Sequence, residues 1–196
     1  MKVTKPKIFG LILAGGHSRR MGQDKALLEF HGKPQIEYVH DLLVKYCDRV
    51  FLSKRSDQNP YKNLPFIDDS SEFANQGPLG GILSAMKEHP QVSWLIVACD
   101  LPNINEEALQ TLLKNRDPKK IASAFISTQD SLPEPLFAVW EGHAFEPILK
   151  LFNEGIHCPR KILIKSNTAL LEQKNPQWLD NINTPQEFEK LKKIKF

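Results

Sequence analysis

A chain of 196 residues with 41% hydrophobic and 25% charged content is ordinary globular material, long enough to bury one good core and short for two, so a single domain over 1–196 is expected. Lys and Arg outnumber Asp and Glu by only 26 to 23, and Lys192, Lys193 and Lys195 supply much of that excess, which argues against a nucleic-acid surface and leaves a small anionic partner. Cys47, Cys99 and Cys158 stand far apart, without metal-ligand or secreted-framework spacing, as reduced thiols of a cytosolic protein would. The longest early apolar stretch, 8–14, is too short to span a bilayer, and the Gly15-Gly16 and Arg19-Arg20 pairs after it do not resemble a cleavage site. A cytoplasmic protein without membrane contact is expected.

Residues 7–14 read as a buried strand running into a glycine turn, and 34–46 carries Ile36, Val39, Leu42 and Leu43 at helical spacing. Residues 49–53 repeat the strand pattern and 78–88 the helical one. The run SWLIVAC at 93–99 is continuously apolar, as in a strand covered on both faces. Beyond Asp100 the pattern predicts a helix over 105–114, strands over 121–127 and 136–140, and helices near 143–152 and over 185–193. This alternation means an α/β fold, a mostly parallel (mixed) sheet flanked by helices. The turn-rich stretches 58–64 and 128–135 are expected to be loops, either beside a site or as plain surface connections.

The segment LILAGGHSRRMGQDKALL at 11–28 carries the strongest chemical signal. A strand ends at Ala14, and Gly15 and Gly16 let backbone amides approach an anion without a Cβ in the way. Arg19, Arg20 and Lys25 add enough positive charge to balance much of a triphosphate. Neither GxxxxGK[ST] nor GxGxxG fits, so a P-loop ATPase and a dinucleotide dehydrogenase lose their main support. A tight turn with solvated bases is the plain alternative. Asp100, directly after the apolar strand, puts a carboxylate at the C-terminal edge of the sheet, where open α/β folds bind ligands. A hard oxygen ligand beside a triphosphate suits Mg²⁺, and a helix cap is the competing role. In QGPLGGI at 76–82, two glycines just before a helix can hold a flat base or a phosphate, or only start the helix.

The stretch LAGGHSRRMGQDK at 13–25 resembles the signature LAGGxSxRMGxDK of the molybdenum cofactor guanylyltransferases, within the wider nucleotidyltransferase family with a Rossmann-like sheet. QGPLGGI at 76–82, CDLP at 99–102 and NINTP at 181–185 are similar to further motifs of that family, in the expected order over nearly the whole chain. The resemblance implies transfer of GMP from GTP to the terminal phosphate of molybdopterin, with loss of pyrophosphate and no covalent nucleophile. It puts Arg19, Lys25 and Asp100 in catalytic positions, with Mg²⁺ on Asp100. Leu13, Ala14, Gly15, Gly16, Lys25, Asp69, Gly80, Gly81 and Asp100 would face the nucleotide, Asp69 competing with its neighbour Asp68.

For molybdopterin the resemblance implies Pro135 within PEPL at 133–136, the cations Arg160 and Lys161, and Asn181 with Asn183. Residues 1–104 would form the nucleotide-binding half and 105–196 the pterin half, with transient contacts to molybdopterin-synthesis proteins and molybdoenzymes. Two positions depart from the family: Asn103 stands where an aromatic often follows, and Ser53 where a residue such as asparagine is expected near the base. A cytidylyl- or sugar-phosphate nucleotidyltransferase on the same fold and a non-catalytic cofactor chaperone are the rival readings. Lys25 and Asp100 together argue against the chaperone. His17, His31, His40, His89, His143 and His157 form no zinc-binding cluster, and Trp94, Trp140 and Trp178 read as core or cleft packing.

Overall fold

A computed structural model of the chain describes residues 7–14, 25–54, 61, 64–182 and 187, with Lys25 by its backbone only. Seven strands among them form one mixed sheet in the order β3-β2-β1-β4-β6-β5-β7. The central strands, β1 (Ile8–Leu13), β2 (Arg49–Lys54) and β4 (Ser93–Ala98), run parallel. β3 (Phe66–Asp68) extends that parallel block on one side. On the other, β6 (Pro133–Trp140) pairs antiparallel with both β4 and β5 (Ala122–Ile126), and β7 (Thr168–Leu171) closes the sheet parallel to β5.

Side chains alternate across each central strand, as the pleat requires. Ile12, Leu95, Val97, Phe137 and Val139 face a layer made by α1 (Gln35–Leu43) and α3 (Glu106–Lys114). Phe9, Leu11, Leu13, Trp94, Ile96 and Trp140 face α2 (Pro78–Glu88), α4 (Phe145–Asn153) and α5 (Pro159–Lys165). All three tryptophans lie in the core rather than in a cleft, at 0%, 0% and 1% exposure.

The predicted helix over 105–114 begins at Glu106 because Asn105 is its N-cap, accepting from the Ala108 amide at 3.0 Å. The helix predicted near 143–152 starts at Phe145, after a 3₁₀ turn over Gly142–Ala144. β6 is three residues longer than the sequence pattern, which placed 133–135 in a loop. Proline is unusual inside a sheet because it donates no ladder bond. Here Pro133 stands where the β5–β6 register shifts, between Ala124 and Ile126, and the pairs with β4 end at Val97–Phe137. Both prolines therefore lie past the last β4 pair. β3, α5 and β7 were not expected; of the helix predicted over 185–193 only Glu187 is among the described residues, and it is helical, while most of the loop at 58–64 lies outside them. Among the described residues no helix is long and apolar enough to cross a membrane.

Candidate functional site

The parallel register sets Leu13, Ser53 and Ala98 side by side as the last paired row of β1, β2 and β4. Cys99 extends the ladder by donating its N–H to the Leu13 carbonyl at 3.2 Å, and Asp100 follows it, half-buried. The carboxylate thus stands at the C-terminal sheet edge next to the strand that ends at Leu13 and Ala14. The chain returns from the segment 15–24 at Lys25, which opens a 3₁₀ turn over Lys25–Leu27. Gly15, Gly16 and Arg19 lie outside the described residues, so the geometry of the expected phosphate loop is fixed only at its two ends, Ala14 and Lys25.

A second group of expected residues meets over β2 and α2. Ser53 Oγ donates to Asp69 Oδ1 at 3.3 Å, and the Asp69 N–H donates to the Lys54 carbonyl at 3.0 Å. A Cβ on Gly81 would stand 2.2 Å from Ser53 Oγ, and one on Gly80 would stand 2.4 Å from the Phe73 carbonyl. Gly81 thus lets α2 cross close to the ends of β1 and β2, and Gly80 lets it pass the backbone of the 3₁₀ turn at Phe73. Asp68 turns elsewhere, its Oδ1 3.0 Å from Lys54 Nζ. The structure therefore groups Asp69, not Asp68, with Ser53 and Gly81. The start of α2 has proline at N1 and no side-chain cap, and the Gly80 N–H donates to the Gly77 carbonyl at 3.0 Å, which closes its first turn.

The second half of the chain closes the other side. The Ile182 N–H donates to the Asp100 carbonyl at 2.9 Å, and Ile182 packs with Leu28 and Phe30 from the segment after Lys25. This seats exposed Asn181 beside Asp100. Asn183 lies outside the described residues. Pro135 is buried, and its carbonyl accepts from Trp140 Nε1 at 3.1 Å, so its polar group serves the fold.

Arg160 is not a free phosphate cation: its guanidinium reaches Asp130 at 2.8 Å and Glu134 at 3.2 Å. Lys161, next to it on α5, is exposed. Glu134, which the sequence reading passed over, is 6% exposed. It sits on the end of β6 that lies past the last β4 pair, Val97–Phe137, near enough to Asp100 to feel its charge. Burial raises the Glu134 carboxyl above the usual carboxylate range and the charge of Asp100 adds to the rise, against lowering by the Leu136 amide and Arg160.

The donor chemistry at this corner fits a hard divalent cation. Asp100 offers carboxylate oxygens, and Mg²⁺ takes one or two carboxylates, completing its shell with phosphate oxygens and water. No group of three or more His, Cys, Asp or Glu gathers among the described residues. A binding mode that borrows its other ligands from a phosphate is the one this arrangement suits.

Residues 10–170 match the MobA-like NTP transferase domain. The chain is 39% identical over 189 residues to a molybdenum cofactor biosynthesis bifunctional protein of Synechocystis, an alignment covering 95% of this chain and 54% of that protein. The chain therefore spans about half the length of that relative. It is 30% identical over 191 residues to a Bacillus cereus protein named "Probable molybdenum cofactor guanylyltransferase", covering 93% and 94% of the two. The molybdopterin-guanine dinucleotide biosynthesis protein A of Archaeoglobus fulgidus has the same fold at 23% identity, with a TM-score of 0.74 over 95% of this chain and 97% of that one. A cytidylyltransferase of Thermus thermophilus shares the fold at 12% identity, with a TM-score of 0.69. The sheet-edge site and the match over 10–170 lead to one conclusion: the chain belongs to the MobA-like NTP transferase domain family.

Proposed function

We propose that the protein transfers GMP from GTP to the terminal phosphate of molybdopterin, making the guanine dinucleotide form of the molybdenum cofactor in the cytoplasm. A terminal phosphate oxygen of the pterin attacks the α-phosphorus of GTP. The bond from that phosphorus to the oxygen bridging to the β-phosphate breaks, and pyrophosphate leaves with the bond's electrons.

The observation that carries this reading is the convergence on Asp100: the strand entering the phosphate segment lies on one side of it and the Asn181-Ile182 motif on the other. In a family of nucleotidyltransferases, that is an arrangement for two phosphate-bearing substrates meeting at one carboxylate. The Bacillus cereus relative named as a probable molybdenum cofactor guanylyltransferase, and the Synechocystis relative named for molybdenum cofactor biosynthesis, support the choice of substrates.

Residues 1–104 would take the nucleotide and 105–196 the pterin. The Gly15 and Gly16 amides orient the triphosphate, while Arg19 and Lys25 stabilise charge developing on the transferred and leaving groups. Asp69, Ser53, Gly80 and Gly81 form the base and ribose side, and Asn181 with Asn183 orients the pterin through directional hydrogen bonds. Asp100 would hold Mg²⁺, which would supply neutralisation of phosphate charge. Transient contacts with molybdopterin-synthesis proteins and with molybdoenzymes would deliver the substrate and receive the product.

Incubation with each of the four nucleoside triphosphates, Mg²⁺ and molybdopterin, following pyrophosphate release, tests the assignment. GTP alone should support rapid turnover. Asp100→Asn should keep the fold and lower the rate by about 10²-fold, roughly 3 kcal/mol of barrier. A preference for CTP, or normal turnover by Asp100→Asn, would overturn the base assignment or the site respectively.

A further inference from the structure

Asp100 stands at the start of a turn that leaves the sheet, and what fixes that turn comes largely from one short stretch of chain. Gln35 Nε2 donates to the Leu101 carbonyl at 3.3 Å, the His31 ring nitrogen Nε2 lies 2.9 Å from the Pro102 carbonyl, and Tyr38 Oη donates to the Ile104 carbonyl at 3.1 Å. Three side chains from within eight residues thus grip three carbonyls of the four residues that follow the carboxylate. The His31 and Tyr38 rings stack at 3.7 Å with 14° between their planes, so each restrains the other.

Gln35 is 0% exposed, at the first residue of α1, and its own N–H is spent on the Leu28 carbonyl at 2.8 Å. Burying a primary amide costs free energy unless it is bonded, and an apolar side chain of similar size would fill the same space without that cost. Gln35 Oε1 has no partner among the described residues. Core packing alone does not explain the amide; the Leu101 carbonyl it holds does.

A reason for such a grip exists on the opposite side of the turn. The β4–β6 pairs end at Val97–Phe137, and the prolines at 133 and 135 have no N–H with which to carry the ladder towards Asp100. The turn must be fixed by other bonds. Among the described residues Ile182 provides one, to the Asp100 carbonyl, the Ile104 N–H closes the turn on the Leu101 carbonyl at 3.4 Å, and the stretch 31–38 provides three.

That stretch begins a few residues after Lys25. We infer that Gln35, His31 and Tyr38 form a clasp that positions Asp100 at the C-terminal edge of the sheet, with Gln35 as its principal residue. The three are positioning residues. None needs to touch substrate, and they act by holding the carboxylate where a metal-bound triphosphate requires it, since misplacement by about 1 Å is worth 10²-fold in rate. The inference rests on the reading of Asp100 as the metal carboxylate.

The test compares wild type, the double variant Gln35→Leu with His31→Leu, and Asp100→Asn as reference. In the metal-free, nucleotide-free proteins, hydrogen exchange at the Leu101, Asn103 and Ile104 amides should be ~10-fold faster in the double variant than in wild type, the rest of β4 being unchanged. In turnover, the Mg²⁺ concentration giving half-maximal rate should rise by ~10-fold, while GTP binding without Mg²⁺ stays within about two-fold of wild type. Tyr38→Phe deletes one hydroxyl and keeps the ring stack, so it should move the same quantities the same way by less; it provides the answer if the double variant does not fold. Faster exchange with an unchanged Mg²⁺ requirement would make the clasp structural and overturn the inference. Equal loss of Mg²⁺-free GTP binding would overturn it as well, because the effect would not run through Asp100. An inactive Asp100→Asn beside a normal double variant defeats the clasp alone, whereas a normal Asp100→Asn defeats the site reading beneath it.

Discussion

Glu134 shows how one residue's environment joins the two halves of the site. It lies beyond the last β4–β6 pair, within reach of the Asp100 charge, with Oε1 accepting from the Leu136 amide at 2.9 Å and Oε2 held by Arg160. Burial outweighs those two favourable contacts, and the folded carboxyl titrates above its ordinary value. A carboxyl with a raised folded pKa binds its proton more tightly when folded. Its stabilising contribution is therefore complete below the unfolded pKa and is lost as pH rises through the folded one. Glu134→Gln cannot ionise and lacks this loss. Urea midpoints measured from pH 4 to pH 7 should show wild type losing stability relative to Glu134→Gln as pH rises. A difference between the two that does not change with pH would remove the case for a proton-favouring environment there.

At the scale of elements, α2 decides how closely a helix approaches the ends of β1 and β2, and its two adjacent glycines fail in different ways. Alanine at position 80 meets the Phe73 carbonyl, which is backbone and must move; alanine at 81 meets only the Ser53 hydroxyl and neighbouring side-chain atoms. Helix propensity favours alanine by about 1 kcal/mol in both, and overpacking opposes it by about 1–3 kcal/mol. Gly80→Ala should therefore show a net loss of stability in urea titration. Gly81→Ala should keep nearly wild-type stability but displace Ser53 from Asp69, weakening GTP in calorimetric titration by about 10-fold, or 1.4 kcal/mol. The reverse ranking would show that the wrong glycine guards the base side.

The same helix was legible to the residue: Pro78 at N1 and apolar Leu79, Ile82, Leu83 and Met86 mark one face, and 78–88 is observed as predicted. Asp100 was legible because SWLIVAC can only be a covered strand, and a covered parallel strand ends at the ligand edge. β3 has three residues, too few to display a period, and β7 is a four-residue edge strand with Leu170 at 52% exposure. α5 was hidden because Pro159, Ile162 and Leu163, the residues it buries, are too few to show a helical period. The clasp could not be seen at all. Gln35 and His31 bond backbone carbonyls 66 and 71 residues away, and no side-chain pattern marks a carbonyl.

For the whole molecule, stability and function separate along the length of β4. Its C-terminal end leads to Asp100, and its first residue, Ser93, joins a buried ion pair about 20 Å away at the rise of a strand. Arg116 follows α3 and meets Glu141, just after β6, through Nε to Oε1 at 2.6 Å and Nη2 to Oε2 at 2.6 Å, with Ser93 Oγ accepting from Nη2 at 2.8 Å. Both side chains are nearly enclosed, 8% and 3% exposed. Such a pair repays little beyond its own desolvation, yet removing one member leaves the other buried and uncompensated, at a cost of about 3–5 kcal/mol. Arg116→Met should thus lower the unfolding free energy by about that amount, and adding Glu141→Leu should return much of the loss by removing the stranded carboxylate. Neither change should alter pyrophosphate release per folded molecule, since the sheet between the two ends is packed on both faces and, among the described residues, the paired side chains bond, besides each other, only Ser93 at the far end of β4. Urea denaturation and turnover of the same preparations decide it. If Arg116→Met loses turnover well below its denaturation midpoint, the two ends of β4 are coupled and the separation does not hold.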